Sequence, residues 1–363
     1  MASGKTKILA GTEESINEWS RYYNMISRKG IYHCPQYIKV LQKHSGNPAE
    51  LFIFEINDNN FIYYPYFKRS LEKLPLAQHC ESFPYGYFDI DSSWYYGGPL
   101  IQSNHPTMNH ELVTSFTIAF SDYCKASKIV SEFIRFDPNL LNYKYFENLL
   151  PLSKNRDTVY VDLAQPEDDI WIKMEGRART AIRKAEKMGV KVHASNNKEN
   201  LLKFCEIYAL EMERKAALPH YRFSRQFISR LFDTICERIQ LIYAEIDGIF
   251  ISGGIFIYEL GQAAHYFLMA THHAYRHYQA NNLILYEAMR FFKSKGIKIF
   301  DLQGGRESVF NFKKSFSKNR APFFTSGIVR NEIVYDKLVK LKENDLGSKE
   351  LTFFPVYRVK ETN

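Results

Sequence analysis

Residues 264–317 read AHYFLMATHHAYRHYQANNLILYEAMRFFKSKGIKIFDLQGGRESVFNFKKSFS, and the order of elements in this stretch decides the fold. Leu283, Ile284, Ala288 and Phe291 recur at helical spacing, and Lys293, Lys295 and Gly296 form a C-terminal helix signature. The apolar run 297–302 predicts a short strand that ends at Gly304 and Gly305. Strand, loop, amphipathic helix, strand and glycine turn make a βαβ-type unit, and such units place ligands where the strands end.

Upstream, IQLIYAEIDGIFISGGIFIYE (239–259) is a pair of strands about an Asp247-Gly248 turn. ELFIFEINDNNFIYYPYFKR (50–69) is the same figure with an Asn/Asp turn. Each hairpin is followed by a helix and a further strand, so FIRFDP and IKIFDLQG occupy matching places. The first copy is longer, and its excess falls near CESFPYGYFDIDSSWYYGGPLI (80–101), a Tyr/Gly/Pro-rich loop. The repeat argues for a duplicated α/β fold with a mixed, α+β type of sheet.

The 363 residues exceed the ~250 to 300 at which one core stops growing, so two domains are expected. With 25 Tyr and 28 Phe, aromatic packing should dominate the cores. A net charge of +8 suits an anionic small ligand, although general solubility explains it as well. The cysteines (Cys34, Cys80, Cys124, Cys205, Cys236) are odd in number and lack CxxC spacing, which favours reduced structural thiols. The first residues lack an apolar signal-like core, and no run reaches the ~18 apolar residues of a membrane span. A cytoplasmic protein is expected. His272, His273 and His277 do not fit an HExxH or HxxxH frame, so no metal site is expected, and neither a Walker nor a Gly-x-Ser-x-Gly pattern occurs.

Residues 171–188 are the main electrostatic feature and read as one basic helix. Ala178, Ile182, Ala185 and Gly189 give it a packed face, with Arg177, Arg179, Arg183, Lys184 and Lys187 around it. The plain reading is a solvated charged face. The functional reading is a diphosphate clamp near a helix N-terminus, with Arg179 and Arg183 chosen as the clamp.

The succession of YGY and YYGGPL within 85–100, Arg135-Phe136-Asp137-Pro138, ARTAIRKAEKMGVKV (178–192), the YANN-like stretch 278–282, Asp301 to Gly305, and Phe312-Lys313 resembles the FemABX-like peptidoglycan-bridge aminoacyltransferases. These are tandem GNAT folds, and this chain lacks the charged helical arm of some members. The resemblance covers about residues 30 to 330 and rests on the order of motifs, none of which is highly specific alone.

The resemblance implies two GNAT-like domains, 1–154 and 155–316, with about 317–363 packing back on the first. It implies transfer of an acyl or aminoacyl group to an amine of a cell-envelope precursor, nucleotide-linked or lipid-linked. The donor would be aminoacyl-tRNA or acyl-CoA, used as a substrate and not as a tightly held cofactor. Peripheral membrane contact is compatible with this. Other readings are an acyl-CoA-dependent GNAT N-acetyltransferase and a non-catalytic nucleotide-sugar-binding duplicate. By resemblance, Lys313 stabilises the tetrahedral intermediate and Phe312 shapes the tunnel; a surface lysine on a turn is the plain alternative.

A base is needed because an ε-amine of pKa ~10.4 is almost wholly charged at neutral pH, a cost of over ~4 kcal/mol. Asp137 matches an Asp near the acceptor amine, but an Asp-Pro turn cap fits it equally. Lys39, Tyr85, Tyr96, Tyr266 and Asn282 complete the substrate-binding candidates, with Tyr37 beside Lys39. The loop 276–282 has no glycine to bring backbone amides onto a pyrophosphate, which argues for aminoacyl-tRNA over an ordinary CoA site.

Overall fold

Asp247 and Gly248 both take positive φ, 50° and 76°. This is the type I′ geometry whose twist matches that of the strands it joins, Ile239–Ile246 and Ile249–Tyr258. In the computed structural model of the chain, residues 4–104, 109–346 and 353–359 are described. They divide into two units, Met1–Asn155 with Phe323–Asn363, and Arg156–Pro322.

The elements run β1 (Lys5–Ala10), α1 (Ile16–Met25), α2 (Pro35–Ser45), β2 (Ala49–Asn57), β3 (Asn60–Ser70), α3 (Leu76–His79), β4 (Phe88–Ser92), β5 (Leu100–Gln102), α4 (Asn109–Ala126) and β6 (Ile129–Arg135). Then come β7 (Ser153–Asp162), α5 (Glu167–Lys173), α6 (Gly176–Lys187), β8 (Lys191–Ala194), α7 (Lys198–Arg214), α8 (Arg225–Thr234), β9 (Ile239–Ile246), β10 (Ile249–Tyr258), β11 (Ala263–Thr271), α9 (Ala280–Ser294), β12 (Ile299–Gln303) and α10 (Glu307–Lys314). β13 (Arg320–Val329) and α11 (Glu332–Leu346) follow.

In the first unit β1, β2, β3 and β4 pair antiparallel in turn, β4 pairs parallel with β6, and β6 pairs antiparallel with the later part of β13. The second unit repeats this pattern. There β8, β9, β10 and β11 pair antiparallel in turn, β11 pairs parallel with β12, and β12 pairs antiparallel with β7. Helices α4 and α9 make the crossovers that a parallel pair requires.

Aromatic side chains fill the first core: Phe52, Tyr64, Phe116 and Phe120 are at most 3% exposed. A smaller cluster draws Val334, Leu338 and Tyr357 from the C-terminal segment onto Leu71 and Val130. In the second unit α9 buries Leu283, Ile284, Leu285, Ala288, Met289 and Phe292. The stripe drifts from the expected one, for Phe291 is only partly buried while Phe292 is fully so. Gly296, at φ 73°, ends α9 in the left-handed conformation common after a helix.

The basic stretch 171–188 is not one helix. It breaks at Met174 and Glu175, whose ψ values of 148° and 147° are extended. The Met174 side chain is buried, and the Glu175 amide donates to the Ser315 carbonyl at 2.8 Å. These anchors compensate for the interrupted helical ladder, and the break sets the start of α6 beside the end of α10.

Candidate active site

Strands β11 and β12 pair through only three rungs, the last being His265 with Asp301. Beyond it β11 continues on β10, while β12 turns away through Gln303 (φ 65°), Gly304 and Gly305 (φ 152°). A Cβ at Gly305 would lie 3.0 Å from Val309, so both conformation and space call for glycine there.

Lys313, near the end of α10, extends to the place where the strands part. Its Nζ donates to the Gly304 carbonyl at 2.7 Å and lies 4.4 Å from the centre of the Tyr266 ring. The residue is 3% exposed. Burial pushes its ammonium down to about 7, and the negative charge of Asp301 acts in the opposite direction. Burial likewise pushes the Tyr266 phenol up. Phe312 packs edge-on against the buried Phe316, with ring centres 5.3 Å apart.

Phe312 borders two clefts at the start of α9. One, of about 270 Å³, is lined by Thr271, Arg276, Gln279, Asn281 and Asn282, with Glu211 and Lys215 from the end of α7 and the residue after it. The other, of about 300 Å³, shares Gln279 and Asn282 and adds Arg177, Ser308, Asn311 and Ser315. Desolvation of Glu211 would raise its carboxyl, but Arg214, Lys215 and Arg276 together hold it down at about 2. Two cations of the first cleft are therefore already engaged by this carboxylate.

Asn281 is fixed from behind. The Ser252 and Thr271 hydroxyls lie 2.7 and 2.6 Å from its Oδ1. Asn282 is 8% exposed and borders both clefts, and among the described residues its carboxamide makes no hydrogen bond. Gln279 takes φ 58°, the left-handed conformation usually supplied by glycine. The missing glycine therefore does not deprive the loop of that turn.

The second unit thus sets Lys313 against Tyr266, and the neighbouring Phe312 beside Asn282 on the clefts. Arg179 and Arg183 do not point into the clefts in the way the clamp reading requires. The Arg179 guanidinium donates to the Ile172 carbonyl at 3.2 Å, and Arg183 stacks 5.3 Å from the Trp171 ring centre. Both turn toward α5 because of the break at Met174. Of the arginines in 171–188, Arg177 lines the second cleft, and it donates to the Asn311 carbonyl at 2.7 Å.

The remaining candidates belong to the first unit. Asp137 is buried and its Oδ1 accepts the amides of Asn139 and Leu140, at 2.9 and 3.3 Å, in the manner of a turn cap. Lys39 pairs with Glu13 on an exposed face at 2.6 Å. Tyr85 is 56% exposed and donates to the Ala77 carbonyl at 3.0 Å. Tyr96 and Tyr37 are core residues, each packed edge-on against the buried Tyr32.

The roles of Asn281 and Gln279 are not legible in the sequence, because they depend on hydroxyls 29 and 10 residues upstream and on one φ angle. No group of metal-binding side chains occurs among the described residues, and no described helix is long and apolar enough to cross a membrane.

A four-stranded meander, a crossover helix, and a parallel fifth strand that diverges from the fourth define the GNAT acyltransferase fold, present here in tandem. Residues 173–314 match the Acetyltransferase (GNAT) domain family. More particularly, the fold is FemX-like: the structure of FemX superposes with a TM-score of 0.70 at 14% identity, covering 92% of this chain and 99% of that one. A conserved protein of unknown function from Bacteroides thetaiotaomicron gives a TM-score of 0.60 at 8% identity, covering 91% and 100% of the two chains. The C-terminal domain of a protein assigned as a lysylphosphatidylglycerol synthetase, from Agrobacterium fabrum, gives 0.52 at 11% identity, covering 89% and 96%. No curated protein matches the sequence.

Proposed function

We propose that this chain is an N-acyltransferase that moves an acyl or aminoacyl group onto an amine of a cell-envelope precursor. The observation that carries the reading is the Lys313 ammonium, buried where β11 and β12 part. When an amine attacks an ester or thioester carbonyl, the C–N bond forms, negative charge develops on the carbonyl oxygen, and the bond to the carrier breaks as the amine loses a proton. A preorganised cation at that oxygen is worth ~2.7 to 4 kcal/mol. Phe312 borders the clefts through which the donor would reach it, and the free carboxamide of Asn282 supplies a polar contact to what they hold. The envelope acceptor is supported by the likeness to FemX and to the lysylphosphatidylglycerol synthetase domain.

The preferred donor is aminoacyl-tRNA. A second reading, transfer from acyl-CoA, is favoured by Gln279, whose left-handed turn gives the start of α9 the shape a glycine loop would. The test is transfer to amine-bearing envelope precursors from each donor, reading RNase-sensitive incorporation against release of free CoA. Lys313→Ala should abolish turnover in the productive pair while ligand binding persists. Equal turnover by Lys313→Ala would remove Lys313 from the chemistry, and binding without transfer from either donor would leave a binding protein in place of an enzyme.

A further inference from the structure

The last rung between β11 and β12 is a histidine–aspartate pair in the interior. His265 is 1% exposed and Asp301 is fully buried, and the imidazole Nδ1 lies 3.2 Å from the carboxylate Oδ2. A carboxylate only accepts, so Nδ1 carries the proton and donates. The other carboxylate oxygen accepts the Gln303 amide at 2.7 Å. Both oxygens are thereby held, and the carboxylate cannot rotate freely.

Lys313 contacts residues that lie one position past His265 and three positions past Asp301. Its nitrogen is bonded to Gly304, just past Asp301 and Gln303, and rests on Tyr266, next to His265. A buried ammonium with only a carbonyl and a ring face for partners is costly unless a counter-charge stands near. The ionisable groups around it are Tyr266 on β11, Asp301 on β12 with His265 behind it, and Arg156 on β7, whose methylenes pack on Gly304. Lys314 and Glu307 share its helix. Of these, Asp301 is the carboxylate whose charge acts on Lys313.

We propose that Asp301, clamped by His265 and the Gln303 amide, is the positioning residue that keeps Lys313 in its ammonium form at the strand opening, and that the pair influences acyl transfer only through Lys313. This rests on the reading of Lys313 as the cation of the transfer site. The measurement, however, does not use turnover.

Protein labelled with [ε-¹³C]lysine and [γ-¹³C]aspartate is titrated by NMR, the Lys313 signal being assigned by its loss in Lys313→Met. In Asp301→Asn the Lys313 midpoint should fall by about one pH unit or more. Coupling is reciprocal, so in Lys313→Met the Asp301 midpoint should rise by a similar amount, which provides the test even where Asp301→Asn does not fold. A Lys313 midpoint unmoved in Asp301→Asn, or an Asp301 midpoint unmoved in Lys313→Met, overturns the proposal. Shifted midpoints alongside a Lys313→Ala protein that still turns over would overturn the transfer reading and leave the coupling standing.

Discussion

Lys313 and Tyr266 meet with the ammonium nitrogen 4.4 Å from the ring centre, inside a site where the lysine is buried and the tyrosine partly so. The contact offsets only part of the cost of burying the charge. Lys313 has a folded value of about 7 against 10.5 for the free side chain. Below about pH 7 both states hold the proton and the folded state bears the whole penalty. Between about 7 and 10.5 the folded state has released the proton that the unfolded state still binds, so stability rises with pH. Lys313→Met should therefore stabilise the protein by roughly 4 to 5 kcal/mol near pH 6 and by about 2 kcal/mol near pH 9. Urea melts at the two pH values check it, and a gain that does not shrink with pH would contradict it.

The same lysine makes a kinetic prediction. Lys313→Ala should lower kcat by ~10² or more with KM nearly unchanged, the mark of an interaction made in the transition state. Lys313→Arg should restore little, because a planar guanidinium places its charge elsewhere beside Phe312. With the ammonium as the active form, kcat/KM should fall as pH rises through about 7. A rise instead would make the neutral amine the working species, a base in place of an oxyanion partner.

Asn281 offers a test of how the start of α9 is held. Ser252 is fully buried and Thr271 nearly so, and both hydroxyls approach the Asn281 carbonyl oxygen. Asn281→Leu removes their shared acceptor and should cost about 1 to 3 kcal/mol. Because the residue also borders the cleft, ligand affinity should weaken in the same variant. Denaturant midpoints and calorimetry separate the two effects, and a variant of unchanged stability would show that the hydroxyls find another acceptor.

Much of the fold is legible in the residues because local signals agree there. The Asp247-Gly248 turn, the stripe of α9 and Gly296 each specify their conformation within a few positions. Lys313 and Phe312 could be picked out by resemblance, and Tyr266 and Asn282 stand with them. The first-unit choices were less readable. In a chain with 25 tyrosines, whether Tyr96 is core or ligand depends on packing between distant segments. Asp137 carries equal signals for a cap and for a base, and the amides of Asn139 and Leu140 that its Oδ1 accepts are contacts of the cap kind. The break at Met174 and Glu175 was invisible because both residues tolerate a helix. What ends it is a carbonyl 140 residues on, at Ser315.

That break bears on where the arginines of 171–188 lie. The clamp reading takes 171–188 as one helix with Arg179 and Arg183 facing the ligand. Instead they lie against Ile172 and Trp171, while Arg177, in the first turn of α6, borders the cleft with Ser308 and Asn311. Its guanidinium already pairs with Glu175 at 2.6 Å and with the Asn311 carbonyl, so it is aimed by its partners. The positive end of the α6 dipole reinforces its charge for an anion placed there. Arg177→Ala should then weaken binding of a phosphate-bearing donor by about 1.5 to 3 kcal/mol, whereas Arg179→Ala with Arg183→Ala together should cost less than about 1 kcal/mol. Calorimetry with acyl-CoA, and filter binding with aminoacyl-tRNA, read the difference. The opposite ranking would return the clamp to Arg179 and Arg183 and require that they leave α5 when the ligand arrives.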